Sequence, residues 1–308
     1  MRLLSRVAAI SAALLVVPAW ADSSTTASAS LTGLGFTLVD LAPADGVAPT
    51  ITFSMYAGSN AGNASTSYTT ATRSGSASES FSSPGSPWAA NEAAAQVSYG
   101  NAASSIGGSP LAGTFALSAS GSAMAPPDQA GDFWWTLPST TFSAGARVYD
   151  YGVSFSLSAN TLVLFTAQAS VDVAAVGGGS FTDPYGWLYL NGINGYASAS
   201  LTAEGPAAGG GYGYQTSFDQ RDVNAGSYYD YWLEGWVSQQ ASDAGPLAVS
   251  FVNATGDWMD GQFRANVYVS GSAYGDLVNM PAVPEPGTAA LWLAGLAFTA
   301  FTARRRSR

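Results

Sequence analysis

Apolar residues alternate with small or polar ones along much of this 308-residue chain, and this period of two limits the fold more than any other feature. Val153, Phe155 and Leu157 alternate with serines, and the segment Ser158–Asn160 then has the composition of a turn. The apolar residues of the following run fall on one face: Val163, Phe165, Ala167, Ala169, Val171 and Val173. The sequence therefore predicts two strands, each with one buried face, joined as a hairpin.

The same alternation recurs nearer the C-terminus. Leu247, Val249 and Phe251 alternate with small or polar residues, and Asp260-Gly261 offers a turn sequence. A single face of the next run carries Phe263, Ala265, Val267 and Val269. A second hairpin is predicted here.

Further short strands are indicated between segments rich in Gly, Pro, Asn and Asp. Many short strands separated by such turns predict an all-β fold, an antiparallel β-sandwich or a jelly roll. The run from Tyr68 to Phe81 is polar on both faces, which predicts an edge strand or a solvated sheet. The other strand candidates are Gly35–Leu41, Thr50–Tyr56, Gln96–Gly100, Gly113–Ser120 and Tyr196–Glu204.

The chain between the two termini, residues 22–282, is long enough for one large sandwich or two small ones. The segment Ser122–Gly131 contains two adjacent prolines and is the best candidate for a linker between two domains. We favour a single domain in which this segment is a long loop.

Composition excludes several classes of function. The chain has no cysteine and no histidine, so Ser-His-Asp and Cys-His catalysis and thiolate metal sites are excluded. Residues 22–282 hold four arginines against nineteen acids, a net charge of −15. Such a charge repels phosphate backbones, so nucleic acid is not an expected partner.

The N-terminus has the three parts of a secretory signal peptide, residues 1–21. Arg2 and Arg6 are basic, an apolar segment extends from Val7 to Val17, and Ala19 and Ala21 form an A-x-A cleavage site. We expect a signal helix that is removed by signal peptidase on export.

The C-terminus combines two prolines, an apolar segment and a basic end. Pro284 and Pro286 flank Glu285 and favour an extended backbone. The sixteen uncharged residues 288–303 predict a short transmembrane helix, about 24 Å long if helical. The basic residues after it should remain cytoplasmic and stop transfer: Arg304, Arg305, Arg306 and Arg308.

These three parts in this order, over residues 283–308, resemble the PEP-CTERM sorting signal of Gram-negative bacteria. The resemblance implies recognition of Pro284, Glu285 and Pro286 by an exosortase-like membrane enzyme. It also implies a link to exopolysaccharide and biofilm. The protein would be anchored transiently in the inner membrane with its domain in the periplasm, and then pass to the cell envelope or the exterior.

Aromatic residues beside acids form the candidate binding sites. Aromatic rings stack on sugar faces while carboxylates accept hydrogen bonds from hydroxyls. This combination makes candidate sugar-binding residues of Trp134, Trp135, Trp187, Trp232 and Trp236. Packing of these rings in the protein's own core is the alternative.

Acidic turns give a weaker indication of Ca²⁺. Asp40 with Asp45, and Asp257 with Asp260, flank predicted turns, and such turns can offer oxygen ligands. Neither pair has a known calcium-loop spacing, so turn formation is the favoured role and no cofactor is expected.

The sequence thus predicts an exported surface or matrix protein that is not an enzyme and has a structural or adhesive role. A lectin-like carbohydrate-binding module is the alternative. A glycosidase that uses a pair of carboxylates is a more distant one, because no spacing in the sequence identifies such a pair.

Overall fold

The computed structural model describes residues 23–54, 59–70, 72–84, 86, 88–126, 137–182, 187–207 and 213–276. These residues form an almost entirely antiparallel β structure, which confirms the predicted all-β class. The predicted signal helix and transmembrane helix lie outside the described residues. Within the described segments, no helix has the length and hydrophobicity needed to cross a bilayer.

The strands are β1 (Ser23–Asp40), β2 (Ile51–Ser54), β3 (Ser59–Thr69), β4 (Ser74–Pro84), β5 (Asn91–Val97), β6 (Gly100–Gly107), β7 (Phe115–Met124), β8 (Ser139–Leu157), β9 (Thr161–Thr182), β10 (Leu188–Gly192), β11 (Asn194–Pro206), β12 (Tyr214–Gly226), β13 (Tyr228–Asp230), β14 (Gly235–Val237), β15 (Gln239–Asn253) and β16 (Met259–Tyr274).

Two large sheets face each other. The first has the order β10-β9-β1-β7-β6-β5, with β15 also paired to β9. The second has the order β12-β11-β16-β8-β3-β4, with β2 also paired to β8. Among the strands that the structure describes, the short β13 and β14 pair only with each other and form a separate hairpin.

Neither predicted hairpin is present, although the predicted strands and their buried faces are correct. β8 pairs with strands of the second sheet, and β9 pairs with strands of the first. β15 likewise belongs to the first sheet and β16 to the second. Each connection therefore crosses from one sheet to the other. Two strands that each have one buried face can pair within one sheet, or they can lie in opposite sheets and pack face to face across the core. The alternation of apolar residues is the same in both arrangements and does not distinguish them.

The connection between β15 and β16 also differs from the predicted turn. Residues 254–258 form it, whereas Asp260-Gly261 lies inside β16. The fully buried Asn253 organises the turn, because its Nδ2 donates to the carbonyl oxygens of Leu157, Ser158 and Asp257. Its Oδ1 accepts hydrogen bonds from the backbone N–H and the hydroxyl of Thr255.

Most of the other predicted strands are present with different boundaries, but the predicted strand Gln96–Gly100 is wrong, because residues 98–99 form the turn between β5 and β6. The run from Tyr68 to Phe81 is divided between β3 and β4, where the Thr70 N–H donates to the Arg73 carbonyl oxygen. β4 is the edge strand of the second sheet, as the polar pattern predicted. β1 begins twelve residues before the predicted Gly35. Its first half was missed because Ser, Thr and Ala give a weak hydrophobic signal.

Phenylalanine rings fill the core between the sheets. Phe165 on β9 stacks on Phe263 on β16, with ring centroids 4.4 Å apart, and lies 5.5 Å from Phe155 on β8. Phe155 also meets Phe251 on β15 edge to face at 5.2 Å. Each of these four rings is at most 1% exposed. One buried cluster extends from Ala27 to Ala273, so both sheets share a core.

Side chains join the two sheets along their edges. On β12, the side chains of Gln215, Ser217 and Asp219 accept hydrogen bonds from backbone N–H groups of β15, at 2.8–3.2 Å. An Arg221–Asp243 ion pair at 2.7 Å extends this contact. Between the edge strands β4 and β5, Glu79 accepts from the Ala94 N–H at 2.9 Å. These contacts cover backbone groups that would otherwise be free to pair with another chain.

Candidate functional site

The outward faces of both sheets carry rows of hydroxyl side chains. On the first sheet, cross-strand register places Ser105, Ser118, Ser30 and Ser170 in one row. On the second sheet, Ser78, Ser65, Ser143 and Ser270 form a comparable row. Neighbouring strands lie about 4.8 Å apart, so each row presents hydroxyls at a regular spacing of that size.

Several of these hydroxyls bond to one another across the strands. The Oγ atoms of Ser105 and Ser118 are 2.7 Å apart, and those of Ser65 and Ser143 are 2.9 Å apart. Each serine hydroxyl has one donor and two acceptor positions, so such a pair keeps capacity for a further partner. A face lined with hydroxyls is chemically suited to another polyhydroxylated surface.

Aromatic residues are concentrated at the end of the two sheets where β9 pairs with β10. The hairpin of β13 and β14 carries Trp232 at its tip, 96% exposed, and β10 follows the 69% exposed Trp187. The two elements are in contact. The structure therefore places these two predicted sugar-binding residues at the same end.

Trp236 has a different environment from Trp232. It lies half-buried over Gly178 on β9, where a Cβ atom would overlap its ring, and it meets Tyr229 edge to face at 5.6 Å. Trp236 thus fixes the base of the hairpin. Trp134 and Trp135 lie outside the described residues.

Both ends of the described chain emerge at this aromatic end. The Ser23 hydroxyl donates to the Tyr274 carbonyl oxygen at 2.6 Å and accepts from the Tyr274 N–H at 3.0 Å. Asp276 Oδ1 accepts from the backbone N–H and the hydroxyl of Ser180, at 2.6 and 2.8 Å. Since Ser180 pairs with Leu190 of β10, the chain leaves toward its C-terminus beside the exposed aromatic residues.

The predicted acidic turns are held by internal hydrogen bonds. Asp40 accepts from the Ala42 N–H, and Asp45 accepts from the Val47 N–H and from Asn160, all at 2.8 Å. The bonds from Val47 and Asn160 lower the pKa of Asp45 from its usual value. Asp260 accepts from the Ser156 hydroxyl. Among the described residues, no group of three or more acidic side chains is placed to hold a metal ion.

Sequence reasoning missed the hydroxyl rows and most of the exposed aromatic end. The Ser/Thr alternation was visible in the sequence, but its assembly into rows depends on strand register. Tyr231 and Leu233 lie beside Trp232 and are exposed to more than 70%. Only the clustering of aromatic residues in the sequence could have indicated them.

The residues predicted for sorting and processing lie outside the described parts of the chain. They are Ala19 and Ala21, Pro284, Glu285 and Pro286, and Arg304, Arg305, Arg306 and Arg308.

Comparison with protein families finds the PEP-CTERM protein-sorting motif at residues 282–306, which confirms the resemblance stated for the tail. No curated protein and no solved structure matches the chain.

Proposed function

We propose that this exported protein, targeted to an exosortase by its C-terminal motif, acts outside the cytoplasm as a structural or adhesive component of the exopolysaccharide matrix. The sorting motif at residues 282–306 supports export and processing. The hydroxyl rows on both sheets support the adhesive role, and they are the observation that carries it. Binding without catalysis is sufficient for this role.

Hydroxyl rows suit a polysaccharide because recognition can be spread over many weak contacts. A single neutral hydrogen bond contributes only about 1 kcal/mol in water, so one serine gives little affinity. An array of hydroxyls can form many such hydrogen bonds at once, so the affinity increases with the length of the polymer. The partner in this proposal is a neutral or basic exopolysaccharide, because the acidic domain repels polyanions.

Co-sedimentation of the released protein with the exopolysaccharide of its own cells tests this proposal. We expect the triple variant Ser65→Ala, Ser78→Ala and Ser143→Ala to bind several-fold more weakly, because it removes three neighbouring hydroxyls and little volume. Trp232→Ala is the control and should bind like the unchanged protein. Equal binding by the triple variant and the unchanged protein would contradict adhesion through this face.

Lectin-like sugar binding at the aromatic end is the second candidate function. The exposure of Trp187 and Trp232 favours it, because both rings are accessible for stacking on a sugar. In the same experiment, loss of binding in Trp232→Ala with normal binding by the serine variant would favour this candidate.

A further inference from the structure

The aromatic end concentrates exposed apolar surface. In the described parts of the chain, sixteen large apolar or aromatic side chains are exposed, and seven of them lie in the two segments 187–189 and 228–233. We name these seven the apolar tip. They are Trp187, Leu188, Tyr189, Tyr228, Tyr231, Trp232 and Leu233. A concentration of this kind on a soluble domain marks an interaction surface.

Local contacts hold the hairpin so that its apolar side chains point outward. Asp230 Oδ1 accepts from the backbone N–H groups of Trp232 and Leu233, at 2.7 and 3.2 Å. Glu234 adopts a left-handed backbone with φ of 49°, which completes the turn. Because Trp236 is packed over Gly178, Trp232 and Leu233 cannot turn back onto the sheet without a change of this turn.

The C-terminal tail leaves the domain next to the apolar tip. Asp276 is bound to Ser180, and a Cβ atom on the adjacent Gly179 would lie 2.7 Å from Tyr274. Five residues separate Asp276 from the start of the sorting motif, and eleven separate it from the apolar segment at 288–303. Eleven extended residues span at most about 40 Å, so a tail held in the bilayer keeps this end of the domain near the membrane surface.

The charge of this region indicates how it could contact lipid. Segments 187–192 and 227–238 contain the acids Asp230 and Glu234 and neither lysine nor arginine. Electrostatic attraction to anionic headgroups is therefore excluded as a source of affinity. Trp, Tyr and Leu instead have the chemistry of side chains that partition into the interfacial layer of a bilayer.

We propose that the apolar tip docks into the interfacial layer of the membrane while the tail is still anchored there. The docked domain is oriented with its aromatic end toward the bilayer, and Pro284–Pro286 is held at the membrane surface. This docking rests on the exosortase targeting in the proposed function and on the transient membrane anchor that the sequence predicts for the tail. Once the tail is cleaved, the apolar tip alone contacts the lipid, so the released domain leaves the membrane more readily than the anchored one.

A single fluorescent label on the full chain tests this docking. Since the protein has no cysteine, Leu233→Cys and Leu111→Cys each create one labelling site. Leu111 is the matched control, because it is 71% exposed compared with 72% for Leu233. It lies two residues before Gly113, which packs against Gly35 on β1, twelve residues along that strand from Ser23. The full chain is reconstituted into phosphatidylcholine vesicles after attachment of an environment-sensitive fluorophore.

We expect the label at position 233 to shift to shorter wavelength and brighten several-fold in vesicles, and lipid-borne nitroxides to quench it. The label at position 111 should stay in water. Replacement of a quarter of the lipid with anionic phosphatidylglycerol should not strengthen the signal at position 233.

Four outcomes would overturn the docking, and each has a distinct signature. If the chain does not float with vesicles, the anchor fails and the docking fails with it. If the chain floats with vesicles but the labels at positions 233 and 111 give identical signals, the docking is overturned while the membrane anchor stands. A response of position 233 to exopolysaccharide but not to vesicles assigns the apolar tip to sugar binding instead. A signal that appears only with anionic lipid overturns the apolar mechanism.

A double variant gives an independent readout on the exported protein in cells. Trp232→Ser with Leu233→Ser removes two members of the apolar tip and should slow conversion of the anchored form to the released form several-fold. Trp258→Ser with Leu111→Ser, at exposed positions away from this end, is the control and should leave conversion unchanged. Equal rates for the two double variants would overturn a role of docking in processing.

Discussion

Replacement of Pro284 and Pro286 together with alanine is expected to leave the protein uncleaved in the membrane fraction. Each proline lacks an N–H and disfavours helix at the residue before it, which keeps Glu285 in extended backbone. Alanine restores both N–H groups and favours helix, so the predicted membrane helix can extend back from residue 288 through the motif. We expect the released form to fall at least tenfold in cell fractions analysed by immunoblotting.

Pro281→Ala is the matched control for this prediction. Pro281 is in the same proline-rich segment, but it lies one residue outside the matched motif at 282–306. This variant should be released normally. Normal release of the double variant would contradict recognition through the two prolines, and failure of both variants would indicate a general need for extended backbone in this segment.

Phe165→Ala is expected to cost about 3–5 kcal/mol of the free energy of unfolding, the usual range for a buried phenylalanine. The ring is 1% exposed and contacts Phe263 and Phe155 of the opposite sheet. Its loss leaves a cavity where the two sheets meet. Chemical denaturation of the released protein measures the change.

Leu164→Ala is the control for the packing of this strand. Leu164 is adjacent to Phe165 but points to the outer face of the first sheet, so its loss should cost about 1 kcal/mol or less. A shift of one residue in register would exchange the two faces. A larger cost for Leu164→Ala than for Phe165→Ala would therefore contradict the assigned register.

The sequence predicted strand faces much better than strand partners. The buried faces of β8, β9, β15 and β16 follow from side-chain alternation, which depends on nearest neighbours along the chain. Whether β8 pairs with β9 or faces it across the core depends on long-range packing, such as the contact of Phe155 with Phe165. The turn-forming role of Asn253 could not be predicted either, because its partners at Leu157 and Ser158 lie almost a hundred residues away.

The candidate site shows the same division between local and long-range information. Aromatic clusters identified Trp232 and Trp236, but the sequence did not indicate that one is exposed and the other is packed over Gly178. Only three residues of the hairpin lie between them. The sorting motif, in contrast, was recognised from the sequence, because its three parts occur in order within one short segment.

Intact-mass measurement of the protein recovered outside the cells tests whether this is an exported domain that is delivered and then processed through its tail. We expect a mass that lacks residues 1–21 and the residues that follow the Pro-Glu-Pro segment. Recovery of the whole chain from the cytosol, with leader and terminal arginines intact, would contradict it.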